Sequence, residues 1–580
     1  MIESASVSAE REHQVRPARS LARAALLLLI LSGSPASAEP ASAPSDSLHS
    51  PTVHDTVVAG SLWRRFGEET CAELAGRPIA EVLAVPHDIW DPVPPGPFAR
   101  VYSLANRLHF RTRPATMRAS LLLRKGDAFD LRRVAESERA LRALRFLSPE
   151  SVLVRPRGDS VELAFHTRDR WTTNPEVNLE SGGGTLYGSM SFTERNFLGL
   201  GWWASINYRE DPVGITRGLS LSNPHAFGSP WRTEFVAATG TAGKSNAFAI
   251  EHPYEGEEGT RTLGVRWSRI SSESQLFDRG SLASRIPRRT EEAEVWWGVG
   301  HRTPSGLIRR ARWVVAVLDR RLEPSLLEPG ASEEFEGGHE DLRQRRVGGE
   351  VRLWRPRFIQ RRGINRFERV EDFDLGPSLA LEAGFAPKAF GGTVDEGFAR
   401  VRLSGGVEAD GLGFGFAGVS VRSRFRRDAR EVLATLTARW IEQPHPRIAV
   451  VLGAMGIAGR DMPHNFQVVV GGLDGLRAYP VHALSGTQLW RFNAEARVNG
   501  GRAMGDFLHV GAAVFTDAAR AWGLGASDAP WHHDAGFGLR LSLPHVSIDD
   551  LIRIDIAWPI APTRDGRREP VLTFGSSQAF

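Results

Sequence analysis

The stretch WRFNAEARV at residues 490–498 decides the fold of this 580-residue chain. Apolar side chains such as Trp490, Phe492 and Val498 alternate there with charged and amide side chains. Because successive side chains of a β-strand point to opposite faces, the pattern predicts a strand with one apolar and one polar face. The same period of two recurs at residues 202–209, 434–440 and 552–558. Segments of about nine to eleven residues have the length of a tilted strand that crosses a bilayer.

The alternation extends from Asn174 to Phe580, a region of 407 residues (580 − 174 + 1). A soluble β-sandwich would alternate in the same way, with its polar face towards bulk water instead of a wet lumen. A single sheet of this length behind an export signal favours a closed barrel, because closure removes exposed strand edges. The fold class is therefore mainly β: a transmembrane antiparallel β-barrel of about 16 strands, from about 16 to 20 alternating segments, preceded by one small α+β domain.

Residues 1–38 have the pattern of a secretory signal peptide. Three arginines precede or open an apolar run, Leu21–Leu31, and Ala36-Ser37-Ala38 offers a small-residue cleavage site. A run of about eleven residues is too short to cross a bilayer as a helix. We predict cleavage after Ala38 and export of the rest of the chain.

The composition of the chain limits the classes of protein to which it can belong. Only three of the 72 basic residues are lysines, and the net charge is +4. An excess of arginine could indicate nucleic-acid binding, but codon bias and a polar lumen explain it better in an exported chain, and we expect no nucleic-acid partner. Cys71 is the single cysteine, which excludes an internal disulfide. The 16 tryptophans and 29 phenylalanines are typical of the aromatic girdles of membrane barrels.

The region before the barrel is predicted to be a linker and one domain. Residues 39–78 are interpreted as a linker, flexible or partly helical, since their first half is rich in Ala, Ser and Pro. Residues 79–170 are interpreted as a periplasmic domain with the order β-α-α-β-β, in which Asp130 caps a helix. The strands are expected at 79–89, 151–155 and 161–167, and helical segments at 100–110, 114–123 and after Asp130.

Two long polar segments, Ser271–Thr290 and Leu322–Arg346, are predicted to be loops outside the membrane. The second contains a cluster of acidic residues, which could bind a cation. A solvated loop is the preferred interpretation of that cluster.

Four motifs point to a known family. They are LRKGD at 123–127 with the helix end at Arg139–Phe146, ERNFLGLG at 194–201, GGLDGLRAY at 471–479, and the terminal Phe580. With these motifs, residues 79–580 resemble the BamA/TamA-type outer-membrane assembly proteins, the bacterial surface antigen family. Members of this family carry POTRA domains before a barrel of about 16 strands. The resemblance implies that residues 79–170 are a POTRA-like domain.

The third motif is similar to a family loop that folds back into the barrel as a lid. The resemblance implies that Arg477 pairs with acidic residues of the inner wall, and Glu495 and Asp517 match them. A buried arginine needs carboxylates for its donors, whereas the alternative is an unpaired arginine in a surface loop. The lid-loop motif comprises Gly471, Gly472, Leu476, Ala478 and Tyr479. Because Ala478 replaces the family's glycine, we expect a differently shaped loop tip.

The other two barrel motifs have distinct implied roles. Asn196, Phe197, Leu198, Gly199 and Gly201 match the family's turn between early barrel strands. Phe580 matches the terminal aromatic residue by which such barrels are recognised for insertion.

Motifs for catalysis are not found in the sequence: there is no G-x-S-x-G elbow, P-loop, Cys-x-x-Cys pair or H-E-x-x-H. His532-His533-Asp534 is interpreted as a solvated turn between two strands instead of a metal site. We therefore expect no catalytic residue, no metal and no cofactor.

The resulting hypothesis is a non-enzymatic outer-membrane barrel that assists the insertion or translocation of proteins, with its N-terminal domain in the periplasm. The expected partners are outer-membrane lipids, unfolded or extended client polypeptides, and periplasmic chaperones or accessory lipoproteins. Two alternatives remain open: a dedicated two-partner-type secretion pore and a porin-like structural barrel.

Overall fold

The structure is a computed structural model, and it describes thirteen ranges of the chain. These are residues 63–67, 71–182, 185–211, 214–241, 243–367, 369–409, 413–472, 475–503, 508–523, 529–543, 545, 551–561 and 568–576. The predicted signal peptide, most of the predicted linker and Phe580 lie outside them. Within the described ranges, no helix is both long and apolar enough to cross a membrane.

An N-terminal α+β domain precedes the barrel. Its elements are β1 (Arg64–Arg65), β2 (Ile79–His87), α1 (Ala99–Leu108), α2 (Pro114–Ala119), α3 (Leu131–Ala143), β3 (Leu147–Arg157) and β4 (Ser160–Asp169). The sheet has the order β1-β3-β4-β2, with β2 and β4 parallel and the other pairs antiparallel. Met117, Val134, Leu141 and Phe165 pack between the helices and the sheet. The side chain of Asp130 accepts the backbone N–H groups of Arg132 and Arg133 and so caps α3.

The rest of the chain is dominated by one antiparallel sheet that closes on itself, with β30 hydrogen-bonded to β5. Its strands and the small strands between them are β5 Thr173–Gly182, β6 Thr185–Phe197, β7 Trp202–Asp211, β8 Gly214–Asn223, β9 Arg232–Gly240, β10 Gly243–His252, β11 Arg261–Asp278, β12 Ser281–Arg302, β13 Ile308–Leu322, β14 Leu326–Leu327, β15 Glu340–Trp354, β16 Phe358–Arg362, β17 Val370–Asp374, β18 Ser378–Ala386, β19 Glu396–Ala409, β20 Gly413–Phe425, β21 Ala429–His445, β22 Ile448–Arg460, β23 Val468–Val470, β24 Leu484–Gly486, β25 Gln488–Val498, β26 Arg502–Ala503, β27 Leu508–Trp522, β28 His532–Ser542, β29 Ile552–Pro559 and β30 Val571–Ser576. Single 3-10 turns lie at Ala72–Leu74, Ala226–Gly228, Glu333–Phe335 and Lys388–Phe390.

The closed wall has more strands than expected. Within the described residues, twenty strands of six residues or more form it, namely all of β5–β30 except β14, β16, β17, β23, β24 and β26. The expectation of about 16 strands was too low, although 20 is the upper end of the range of alternating segments. The reason is that several connections are short: only Pro446 and Arg447 join β21 to β22, and only Arg279 and Gly280 join β11 to β12.

The alternation along β25 separates two faces as the sequence predicts. Trp490, Phe492 and Val498 are 36%, 44% and 47% exposed on the outside. Glu495 and Arg497, on the other face, are each 1% exposed and lie in the lumen. An apolar outer surface around a charged interior is the arrangement that a membrane barrel requires.

The two predicted polar loops need correction. Residues 271–278 and 281–290 are strand, because they continue β11 and β12 into a long hairpin whose strands have 18 and 22 residues. The second segment is a loop only between Leu322 and Glu340, where β13 ends and β15 begins, and it contains the small strand β14 and a 3-10 turn. Paired strands that extend past the barrel wall carry polar residues on both faces. Because their composition is polar, these segments were predicted to be loops.

We call the end of the barrel next to the N-terminal domain the proximal end and the opposite end the distal end. Because β5 follows β4 directly and strands alternate in direction, turns such as 198–201 and 253–260 and the segment 355–377 are proximal. The segment 461–487 between β22 and β25, which contains the predicted lid motif, is distal.

Candidate functional site

The distal segment 461–487, hereafter the lid loop, folds into the lumen. Its residues Leu476, Ala478 and Tyr479 are buried and pack against Leu489 and Phe515 of the wall. Gly471 has φ of 144°, and a Cβ there would lie 2.1 Å from the backbone oxygen of Pro480. The loop therefore needs glycine at this position to turn back on itself.

Arg477 anchors the lid loop to the wall and is 0% exposed. Its Nε and Nη2 donate to both carboxylate oxygens of Asp517 in β27, at 2.7 and 3.0 Å. Its Nη1 donates to Glu495 in β25 at 2.9 Å and to Asp555 in β29 at 3.1 Å. The guanidinium carbon lies 3.2 Å from the ring centre of Phe515. One side chain thus joins the lid loop to three strands of the wall.

The surrounding wall balances the buried charge. Arg497 donates to Glu495 at 3.0 Å, and Arg540 donates to Glu495 at 3.1 Å and to Asp555 at 2.6 Å. The Nε of Arg553 lies 3.3 Å from Asp555. Charges can be held in a buried site only when they are paired and hydrogen-bonded in this way. We call these residues, together with Arg477 and Asp517, the lid cluster.

The structure brings together Arg477, Glu495 and Asp517, the three residues that the resemblance selected, and adds two carboxylates that the sequence reasoning missed. Asp555 in β29 accepts from Arg477 and Arg540. Asp534 accepts the backbone N–H of Ala478 at 2.9 Å. The interpretation of His532-His533-Asp534 as a solvated turn is wrong, because these residues begin β28 and Asp534 is 0% exposed. The alternation with a period of two that continues from Asp534 could have predicted that these residues belong to a strand.

Ala478 fits the loop without strain. The tip of the loop places positive φ at Gly475, with φ of 88°, whereas Ala478 has no positive φ. An alanine is therefore tolerated where the family has glycine, because the left-handed residue lies three positions earlier.

The lid loop also reaches the opposite side of the barrel. The side chain of Gln467 exchanges two hydrogen bonds with the backbone of Phe277, at 2.8 and 2.7 Å. The Oγ of Ser485 donates to the same Phe277 carbonyl at 2.8 Å. Phe277 lies at the end of β11, ten strands from β27 around the wall. The loop therefore bridges the distal mouth.

A second segment closes the proximal side. Residues 355–377 contain the hairpin β16–β17, hereafter the proximal hairpin segment, and its Ile364 and Leu375 are each 1% exposed against the inner faces of Phe414, Ile441 and Val451. The backbone oxygen of Ile364 accepts a hydrogen bond from Arg497 at 3.3 Å. Arg497 thus contacts both this segment and Glu495 of the lid cluster. Nothing in the sequence reasoning anticipated this hairpin.

The early-strand turn motif joins the barrel to the N-terminal domain. Asn196 accepts the N–H of Gly201 at 2.7 Å within the turn and donates to Thr112 of the domain at 2.8 Å. The carbonyl of Gly199 accepts from the N–H of Arg113 at 3.0 Å and from the hydroxyl of Thr116 at 2.9 Å. A Cβ on Gly199 would lie 2.3 Å from the Arg111 carbonyl oxygen, so the close approach needs glycine. Phe197 and Leu198 are exposed at the same turn.

Helix α3 makes further contacts between domain and barrel. Arg142 donates to both oxygens of Asp372 in β17, at 2.7 and 2.9 Å. Glu136 accepts the backbone N–H of Glu257 in the turn 253–260. Burial raises the pKa of Glu136 to about 7; the hydrogen bond from Glu257 opposes that rise, and the Glu257 carboxylate adds to it. The domain is therefore tied to the proximal hairpin segment and to a neighbouring turn.

Among the residues that the structure describes, no group of three or more His, Cys, Asp and Glu side chains is arranged to hold a metal ion. The cluster chemistry at Arg477 is that of a mechanical anchor: charge pairs with fixed geometry that hold one segment against another. Phe580, the predicted C-terminal signal, lies outside the described residues.

Comparison with known proteins shows only a similarity of fold. No family model and no curated protein matches the sequence. Among solved structures, BamA from Haemophilus ducreyi lacking POTRA domains 1–3 is similar at 12% identity and a TM-score of 0.38, over 86% of this chain and 84% of that one. CdiB from Acinetobacter baumannii is similar at 10% identity and a TM-score of 0.45, over 87% and 74%. CdiB from Escherichia coli is similar at 12% identity and a TM-score of 0.43, over 89% and 80%. At such values the functional assignment has to rest on the geometry of this chain.

Proposed function

We propose that this chain is an outer-membrane barrel of the BamA/TamA type that assists the insertion or translocation of proteins without catalysis, with its N-terminal domain in the periplasm. The observation that carries the proposal is the lid loop, anchored inside the lumen by Arg477 and three carboxylates. A barrel that only conducts solutes needs an unobstructed lumen. An anchored lid loop holds the wall of the barrel in one shape. Client polypeptides would then be bound by the wall and its rim.

The seam of the barrel supports this proposal. The sheet closes where β30 is hydrogen-bonded to β5, the last and the first strand of the described barrel. If these two strands separated, their backbone donors and acceptors would form an edge, and such an edge is a template for an incoming strand. A client barrel strand would pair with β5 in this mechanism.

The N-terminal domain offers a second template. Arg64 and Arg65 pair with Val154 and Leu153 at the edge of β3, so that edge already accepts an added strand. Extended client polypeptides would bind there by main-chain hydrogen bonds. Periplasmic chaperones or accessory lipoproteins that deliver clients would act at the same domain.

The test is an insertion assay in liposomes. The mature chain is reconstituted, and the folding of an unfolded barrel client is followed by protease protection and heat-modifiable mobility. Arg477→Ala is the test variant. Arg424→Ala is the matched control, because Arg424 also bridges two carboxylates, Glu396 and Glu431, but within the wall.

We expect wild type and Arg424→Ala to accelerate client insertion over empty liposomes and Arg477→Ala to lose that acceleration while its own barrel still folds. Equal rates for the three proteins and empty liposomes would overturn the proposal.

A two-partner-type secretion pore is the second candidate, and the strand count favours it. Twenty strands enclose a wider lumen than about 16 do, which leaves more room for a passing chain once the lid loop moves. Acceleration restricted to one passenger polypeptide, with no effect on unrelated barrel clients, would select this candidate.

A further inference from the structure

Helix α1 presents an apolar face that no part of the described chain covers. Val101, Leu104 and Leu108 are 47%, 55% and 63% exposed, and they lie at spacings of three and four residues on one face. Phe110, just after the helix, is 54% exposed. Four large apolar side chains so close together at the surface mark a contact site.

The exposure of this face follows from how the helix is fixed. On the opposite face, Tyr102 is 5% exposed and its ring centre lies 4.8 Å from that of Trp90. Asn106 accepts from the N–H of Trp90 at 3.2 Å and donates to its carbonyl at 2.8 Å. Tyr102 and Asn106 thus hold one side of the helix against Trp90, and the apolar side faces away from the domain.

The helix lies at the proximal rim beneath the seam. The ring centre of Trp90 lies 5.0 Å from that of His545, in the connection between β28 and β29. Beyond the other end of the helix, Thr112 accepts from Asn196 at the end of β6, next to the β6–β7 connection. Only β29, β30, β5 and β6 lie between these two connections. The apolar face of α1 is therefore next to the place where β30 meets β5.

Apolar side chains of the barrel continue this face. Phe197, Leu198 and Leu200 at the β6–β7 turn are 48%, 39% and 36% exposed, and Phe227 at the next proximal turn is 92% exposed. Arg113 donates to the carbonyl of Leu198 at 3.3 Å, which places this turn directly against the segment after α1. The apolar outer surface of the barrel and the apolar face of α1 thus meet at the rim.

Basic residues border the apolar face. Arg100 and Arg107 are exposed within α1, and Arg111 is exposed just after it. An amphipathic helix with this composition, apolar on one side with arginines along the border, lies in the plane of a membrane interface. Its arginines meet phosphate groups while their aliphatic stems remain in the apolar layer.

We propose that α1 binds the periplasmic leaflet of the membrane beside the seam. Val101, Leu104, Leu108 and Phe110 enter the boundary between headgroups and acyl chains, at a depth of about 5–10 Å. Arg100 and Arg107 bind lipid phosphates. The proposal rests on the membrane location in the proposed function, and it gives the N-terminal domain a lipid partner at the site where a client strand would enter.

The test uses a fluorescent probe and quenching lipids. Leu104→Cys is labelled with an environment-sensitive dye in the full mature chain, in liposomes of phosphatidylethanolamine and phosphatidylglycerol with nitroxide-labelled lipid. Cys71 is buried, so it stays unlabelled in the folded protein. The matched control is Asp159→Cys, an exposed position in the β3–β4 turn at the end of the domain away from the barrel.

We expect a blue shift and strong quenching for the probe at 104 and neither for the probe at 159. Quenching at 104 no greater than at 159, in a barrel whose heat-modifiable mobility shows that it is folded, would overturn the proposal. A blue shift at 104 only after an unfolded client is added would overturn it as well and assign the face to clients.

A second variant separates insertion from mere proximity. In Leu104→Glu with Leu108→Glu, a probe at Phe110→Cys should lose its quenching while the barrel still folds, and unchanged quenching would contradict insertion of the helix. This result is independent of the client assay: quenching at 104 without client insertion removes only the proposed function, and client insertion without quenching removes only the membrane contact of α1.

Discussion

The lid loop and the proximal hairpin segment close the same lumen by different means. The lid loop is held by charge: Arg477 reaches Asp517, Glu495 and Asp555, and all four side chains are at most 1% exposed. The proximal hairpin segment is held by apolar packing of Ile364 and Leu375 on the wall. Charge pairs demand one geometry, whereas apolar contacts are non-directional. The distal closure is therefore fixed mainly by directional charge pairs, and the proximal closure mainly by apolar packing.

The two closures are also connected. Arg497 donates to Glu495 of the lid cluster and to the carbonyl of Ile364. Arg142 of α3 binds Asp372 in the same hairpin. A continuous set of contacts thus runs from the N-terminal domain through the hairpin to the lid cluster, and a movement of the domain has a physical route to the lid loop.

The largest effect is expected from Arg477→Ala. Removing Arg477 leaves the buried Asp517 without its charged partner, at a cost of about 3–5 kcal/mol to lid closure. The measurement is thermolysin cleavage of the bond before Leu476, which is 0% exposed in the closed loop. We expect rapid cleavage in Arg477→Ala and slow cleavage in wild type and in the control Arg424→Ala. Equal rates in all three proteins would show that the ion cluster does not hold the loop.

Ile364→Ala should loosen the proximal closure and leave the distal one in place. Truncating a fully buried isoleucine costs about 2–5 kcal/mol when the cavity cannot collapse. Hydrogen exchange should quicken in β16 and β17 and stay slow in β23 and β24. Equal acceleration in both segments would mean that the two closures open together.

A smaller effect is expected at the contact between Arg142 and Asp372, whose side chains are each 15% exposed. A partly solvated pair contributes on the order of 1 kcal/mol. A double-mutant cycle of Arg142→Ala and Asp372→Ala, read by hydrogen exchange in the proximal hairpin segment, measures the coupling. Exchanging the two charges, Arg142→Asp with Asp372→Arg, should restore protection, and additive single effects would contradict the connection.

The smallest effect is a pH dependence of domain docking at Glu136. Its pKa is raised to about 7 in the docked state, so its contribution to docking is fully present below the usual pKa of about 4.3. That contribution is lost as the pH rises towards and through 7. The protection of the turn 253–260 against hydrogen exchange, corrected for the intrinsic pH dependence of exchange, should therefore fall between about pH 5 and 8. Glu136→Gln, which keeps the hydrogen-bond acceptor, should flatten this dependence, and an unchanged slope would exclude Glu136 as its source.

The two faces of the barrel wall and part of the lid cluster could be predicted from the sequence. The period of two at residues 490–498 was enough to place Trp490 outside and Glu495 inside, because the face to which a strand side chain points depends only on its position along that strand. The family resemblance implied wall partners for Arg477, and Glu495 and Asp517 on the strands that follow its loop matched them. Asp555 and Asp534 were not joined to it, since their contacts depend on the register of four neighbouring strands.

The strand number and the proximal hairpin segment lay beyond sequence reasoning for related reasons. Strand number depends on the length of each connection, and turns as short as Arg279-Gly280 have no strong signal of their own. The strands β16 and β17 have five residues each, too few for a periodic pattern, and they lie between barrel strands with similar composition. What distinguishes them is the packing of Ile364 against the wall, which is a tertiary contact.

Conductance in planar bilayers shows whether the lid loop and the proximal hairpin segment each close the lumen. We expect little conductance for wild type, a limited increase for Arg477→Ala or Ile364→Ala alone, and a large increase when both changes are combined. A large, steady conductance in the wild-type protein, unchanged by either substitution, would show that neither segment closes the lumen and would identify the chain as a plain pore.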